Sequence, residues 1–86
     1  MSTHGITAAK SAGMLQAWTQ SGDLRINVAV AFAAPSDRSR WSVYDTWAGG
    51  GPLARNVDEM TARRELARLA RRHHNRVAAV APQRVA

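Results

Sequence analysis

Five arginines are the residues of this chain best placed to do chemistry. Arg64, Arg68, Arg71, Arg72 and Arg76 recur at intervals of one, three and four residues within VDEMTARRELARLARRHHNRV, residues 57–77. A guanidinium stays charged at every working pH and offers donors but no acceptor, so the chemistry available is the binding of carboxylates or phosphates. Arg64 with Arg68, Arg68 with Arg72, and Arg72 with Arg76 stand four apart, and each such pair costs an isolated helix roughly 0.2–0.5 kcal/mol. Only Glu59 with Arg63 and Glu65 with Arg68 offset this locally. A polyanion laid along the stripe relieves the repulsion and releases condensed counterions as phosphates are neutralised. The competing reading is a solvated face, because Arg is a good helix former and the chain uses eleven Arg against the single Lys10.

Other chemistries find less support. Gly49, Gly50 and Gly51 lack both the G-x-G-x-x-G spacing and a Walker lysine, so they read as a turn. His73 and His74 are adjacent, and neighbouring helical side chains point about 100° apart, which is poor geometry for one metal. His73 falls on the buried side of a helix and His74 at its boundary. The six carboxylates are scattered and suggest no acid/base pair. With no Cys there is neither a disulfide nor a thiolate ligand or nucleophile. The expectation is a non-enzymatic protein with no metal or cofactor. Of the aromatics, Trp41 reads as core, whereas Trp47, beside the glycine turn, and Tyr44 are candidate partner contacts. Trp18 is a further base-stacking candidate if exposed.

The arginines need a helix to align them. Between Val57 and Val77, Ala62, Leu66, Leu69, Ala70, His73 and Val77 fall on one arc at 100° per residue, opposite the arginines. Asn56 with Glu59 reads as a capping box at the start, and Asp58 and Glu59 suit the positive pole of the helix dipole.

The helix in turn needs a surface to pack on. Ile26, Val28, Val30 and Phe32 alternate with Asn27, Ala29 and Ala31, which predicts a strand over 24–33 with the larger set inward. A polar hairpin loop over 35–40 leads to a second strand, Trp41–Trp47, in which Asp45 breaks the alternation. The glycines and Pro52 turn the chain into a short third strand over 53–56. Residues 1–22 are interrupted by glycine and serine and read as an N-terminal arm, with a short helix over 7–19 as the alternative. The expected architecture is α+β: a three-stranded antiparallel sheet in β-β-β-α order on one long amphipathic helix. Its boundaries are an arm over 1–22, a compact domain over 23–78 and a tail over 79–86, with a short strand over 78–81 as a further option. The β-β-β-α order resembles that of AP2 and integrase arm-binding domains, which present their sheet to the DNA major groove. The resemblance covers about residues 24–76 and is one of topology alone, because here the charge lies on the helix.

Composition limits the partners. Eighty-six residues, 45% hydrophobic and 21% charged, suit one globular domain with a modest core. The net charge is +6, and residues 55–86 hold eight Arg against Asp58, Glu59 and Glu65. A DNA-mimicking inhibitor needs the opposite sign. Val28–Ala34 is the longest apolar run, well short of the ~20 residues of a membrane span, and the N-terminus lacks the pattern of a signal peptide. The expectation is a cytoplasmic protein without membrane contact.

The leading functional expectation is a small basic nucleic-acid-binding accessory protein of phage or mobile-element type. It would grip phosphates through Arg64, Arg68, Arg71, Arg72 and Arg76, with Arg38 and Arg40 as secondary contacts and little sequence choice. The alternative is a protein-binding inhibitor or adaptor that docks on an acidic surface, with Trp47 and Tyr44 as contacts. Homodimerisation through an uncovered sheet face or edge is compatible with either.

Overall fold

Period-two patterning governs the chain as far as residue 57, and it produces an antiparallel meander. The computed structural model describes residues 2–47 and 49–80, with side chains for 3–9, 11–47 and 49–75. The strands are β1 (Ser2–Ala9), β2 (Met14–Ser21), β3 (Leu24–Ala33), β4 (Trp41–Asp45) and β5 (Ala54–Val57), followed by helix α1 (Glu59–Val80). Each strand pairs with the next, so the sheet order is β1-β2-β3-β4-β5. The class is α+β as expected, but the sheet has five strands where three were expected. Topological likeness to the three-stranded DNA-binding domains goes with that count.

The extra strands come from the segment read as an arm. Leu15, Ala17 and Thr19 are fully buried, while Met14, Gln16, Trp18 and Gln20 are only partly covered. Met14, Leu15 and Trp18 suggest a helical face only when the residues between them are ignored; Leu15, Ala17 and Thr19 are a strand pattern. The glycines read as interruptions are hairpin punctuation. Gly22 has φ +61° and, with Asp23, forms the two-residue turn between paired Ser21 and Leu24, where a positive φ favours glycine. Gly5 is needed for closeness instead: Trp18 lies across it, and a Cβ there would come within 2.9 Å of the indole.

The helix packs largely on a row of small residues, and of the expected inward set Ile26, Val28, Val30 and Phe32, only Ile26 and Val28 join the core. Leu15, Ala31 and Val43 are cross-strand neighbours, as are Ala17, Ala29 and Asp45. These side chains form the helix-facing layer with Trp41, Ala62, Leu66, Leu69 and Ala70. A bulge at Ala17/Trp18 leaves Val28 as the additional residue on β3, so Ile26 pairs with Thr19 and returns to the helix side. One extra residue inverts the facing of everything beyond it. Val30 and Phe32 therefore point away from the helix, and the Phe32 ring meets that of Tyr44 edge-on with centroids 6.1 Å apart. The face expected to be small and polar carries Trp18, Val30, Phe32 and Tyr44. Alanine suits the other side because a helix approaches a sheet closely only over short side chains. Leu15, Leu66 and Leu69, all fully buried, fill the remaining space, each contributing roughly 1.5–3 kcal/mol.

Smaller boundaries also differ. β4 ends at Asp45 rather than at residue 47, and β5 spans Ala54–Val57. Asn56 is not the cap; it lies within β5 at φ +56°. The cap is Asp58, whose Oδ1 accepts the Thr61 N–H at 2.7 Å. Residues 78–80 continue the helix instead of forming a strand. Residues 81–86, most of the expected tail, lie outside the described residues. Among the described residues, no helix is long and apolar enough to cross a membrane.

Candidate nucleic-acid interface

The inward arc of α1 fixes where its arginines go. Ala62, Leu66, Leu69, Ala70 and His73 are all buried against the sheet, which turns Arg64, Arg68, Arg71 and Arg72 outward, each exposed. The i,i+4 repeat sets successive stems about 6 Å apart along the axis. Among the described residues, Arg64, Arg71 and Arg72 have no carboxylate within ion-pair distance. Arg68 differs, because its Nε donates to Glu65 at 2.8 Å. That pair is surface-exposed and worth at most about 1 kcal/mol, so a phosphate can compete for it. Both predicted local pairs form, the other being Arg63 with Glu59 at 2.9 Å. The side chains of Arg76 and Val77 lie outside the described residues.

The two hairpin-loop arginines part company. Arg38 donates to the Ser11 carbonyl at 3.3 Å, tying the β3–β4 loop to the β1–β2 connection. Arg40 lies near the helix start. The Asp58 carboxyl is held below its ordinary value chiefly by hydrogen bonds to Thr61, with Arg40 and Arg64 adding their charges. Arg40 thus adjoins the N-terminal end of the stripe, while Arg38 is engaged with the Ser11 carbonyl. Asp37 in the same loop is also lowered, first by its hydrogen bonds to Ser39 and then by Arg40.

The C-terminal half of α1 is held by polar contacts that the charge pattern does not announce. His73 Nε2 meets Asp45 Oδ2 at 3.0 Å, and both side chains are buried. Asp45 Oδ1 accepts the Trp47 N–H at 2.9 Å, and the Trp47 ring stacks on His73 with centroids 5.1 Å apart and planes 6° from parallel. His74 reaches β2 and β1 on the same face of the sheet, with Nδ1 3.1 Å from Thr19 Oγ1 and its ring 5.3 Å from that of His4. The two histidines therefore grip separate strands. Among the described residues, no three metal-binding side chains gather.

Trp47 and Tyr44, paired as partner contacts from sequence, lie on opposite sides of the sheet. Trp47 belongs to the helix side through His73, while Tyr44 sits with Phe32 on the outer face. On that face Arg25 rests 4.1 Å from the Trp18 ring centre, and one of its nitrogens is 3.4 Å from Thr7 Oγ1. Sequence reading missed Asp45 as the partner of His73. The signal was present, since Trp41, Val43 and Asp45 are spaced by two and an inward carboxylate requires a donor.

No protein-family model matches the chain, and neither does any curated protein or any solved structure.

Proposed function

We propose that this protein binds nucleic acid through the phosphate backbone, using Arg64, Arg68, Arg71 and Arg72 on the outer face of α1, with Arg76 continuing the series in sequence. One observation carries the reading: three exposed arginines on one helix face have no carboxylate partner among the described residues. Arg40 supplies a contact near the helix start, and Arg38 is reassigned to holding its loop. Phosphate contacts confer affinity and orientation but little choice of sequence. Binding of a labelled generic duplex, measured at rising salt, should weaken steeply as counterion release predicts; absence of binding at low salt removes the reading.

A second reading rests on Trp47, which is 46% exposed although its ring is stacked on the buried His73. An aromatic held in place before contact loses little freedom on binding, a property of interface anchors. It favours docking on a protein with an acidic surface, the arginines contributing to the approach. Retention of a partner protein by the native chain, lost on Trp47→Ala and unaffected by nuclease, would select this reading over the first.

A further inference from the structure

The two edges of the sheet are built differently. β5 has only four residues, carries Arg55, contains Asn56 at positive φ, and pairs with β4 through a register shift. Shortness, charge and irregularity are the devices that stop an edge from recruiting another strand. β1 has none of them. It runs eight residues, STHGITAA, with no proline, lysine, arginine or acid, and pairs with β2 in unbroken register. Among the described residues no further strand pairs with its outer edge.

The register identifies the free backbone groups. The Ala33 N–H donates to the Gly13 carbonyl, and Ser21 faces Leu24 across the two-residue turn. Alternation along β2 then directs the odd-numbered residues to β3 and the even-numbered ones to β1. Opposite those even-numbered residues stand Thr3, Gly5, Thr7 and Ala9. The N–H and C=O groups of His4, Ile6 and Ala8 consequently point away from the sheet.

We infer that β1 is a homodimer interface, pairing antiparallel with β1 of a second copy about a dyad at Ile6. In this register Ile6 faces its own counterpart, His4 faces Ala8 in both directions, and Gly5 faces Thr7. Self-complementarity of this kind is what a twofold contact requires. A second copy fits better than a foreign strand because the pairing opposes no like-charged side chains. It also brings two half-buried Ile6 side chains together on the helix side, where Ile6 already packs against the core. The product is a continuous ten-stranded sheet. α1 lies chiefly over β2 and β1, so both helices stand on the same face beside the dyad and their arginine stripes become neighbours.

Sedimentation equilibrium across a concentration series, combined with amide exchange, tests the interface. The expected result is twice the 9.3 kDa chain mass, with the His4, Ile6 and Ala8 amides protected. Ala8→Pro deletes one outward N–H while sparing the bonds to β2 and should return the mass to that of one chain with the circular dichroism unchanged. If that variant fails to fold, the exchange of the native protein decides alone. A single-chain mass at every concentration, or an assembly in which those three amides exchange freely, overturns the inference. So does a folded Ala8→Pro protein that remains dimeric.

Discussion

Asp45 on β4 and His73 on α1 meet at 3.0 Å in the interior, 28 residues apart in sequence. They form the polar pin between sheet and helix. Asp45 also accepts the Trp47 N–H, so its removal strands two donors. Asp45→Ala should destabilise the fold by about 3 kcal/mol, read as a lower urea midpoint with little change in slope. Replacing both partners, as Asp45→Val with His73→Leu, should recover part of that loss because no buried donor at His73 is left without an acceptor. A double variant less stable than the sum of its parts would contradict the pairing.

The helix start gives a pH prediction. Asp58 caps α1 through Thr61, and its carboxyl lies below the ordinary 3.8 mainly because of those hydrogen bonds. A depressed folded value means that the cap stabilises fully above the unfolded value and is lost as pH falls through the folded one. Its contribution should therefore persist at pH 5 and disappear only below about 3.8, which a carboxyl NMR titration can follow. Asp58→Ala should lower stability at neutral pH through loss of the cap and remove that low-pH dependence, whereas Asn56→Ala should spare the cap.

The two faces of β3 predict an asymmetry between neighbours. Ala31 is fully buried beneath the helix and Phe32 is 45% exposed on the other side. Ala31→Leu should cost about 1–3 kcal/mol by overpacking, and Phe32→Thr less than about 1 kcal/mol. Chemical denaturation of the two variants checks this directly. The reverse order would restore the face assignment expected from alternation alone.

That reversal shows where sequence reading stopped. The helix was legible residue by residue because Ala62, Leu66, Leu69, Ala70 and His73 obey one period over several turns. β3 was legible as a strand but not in its facing, since size suggested that Val30 and Phe32 point inward. Close helix packing selected the alanines, and the bulge at Val28 shifted the register in a way no local pattern records. β1 and β2 were lost because their serines and glycines resemble those of a loop when the partner strand is unknown. Of the candidate site, the Glu65–Arg68 pair and the outward arginines were readable from spacing. The anchoring of Arg38 to Ser11 required the fold.

The dimer edge and the arginine face are separable by mutation. Ala8→Pro lies on β1 and the arginines on the exposed side of α1, so monomeric variants should keep phosphate contacts while losing the apposition of two stripes. Duplex affinity should fall in Ala8→Pro, and the salt slope per chain should stay the same. A slope per chain that collapses with the dimer would mean that the phosphate contacts need both copies.

The most direct measurement of the central claim is the salt dependence of duplex affinity for the native chain and for Arg64→Glu/Arg71→Glu/Arg72→Glu. Each phosphate contact contributes roughly 0.9 to the slope of log affinity against log salt, so with four or more contacts the native slope should be about 4 or steeper and the triple variant should lose about 3 of it, with weaker binding, while remaining folded. A folded triple variant with undiminished slope and affinity would show that the helix face is not where nucleic acid binds.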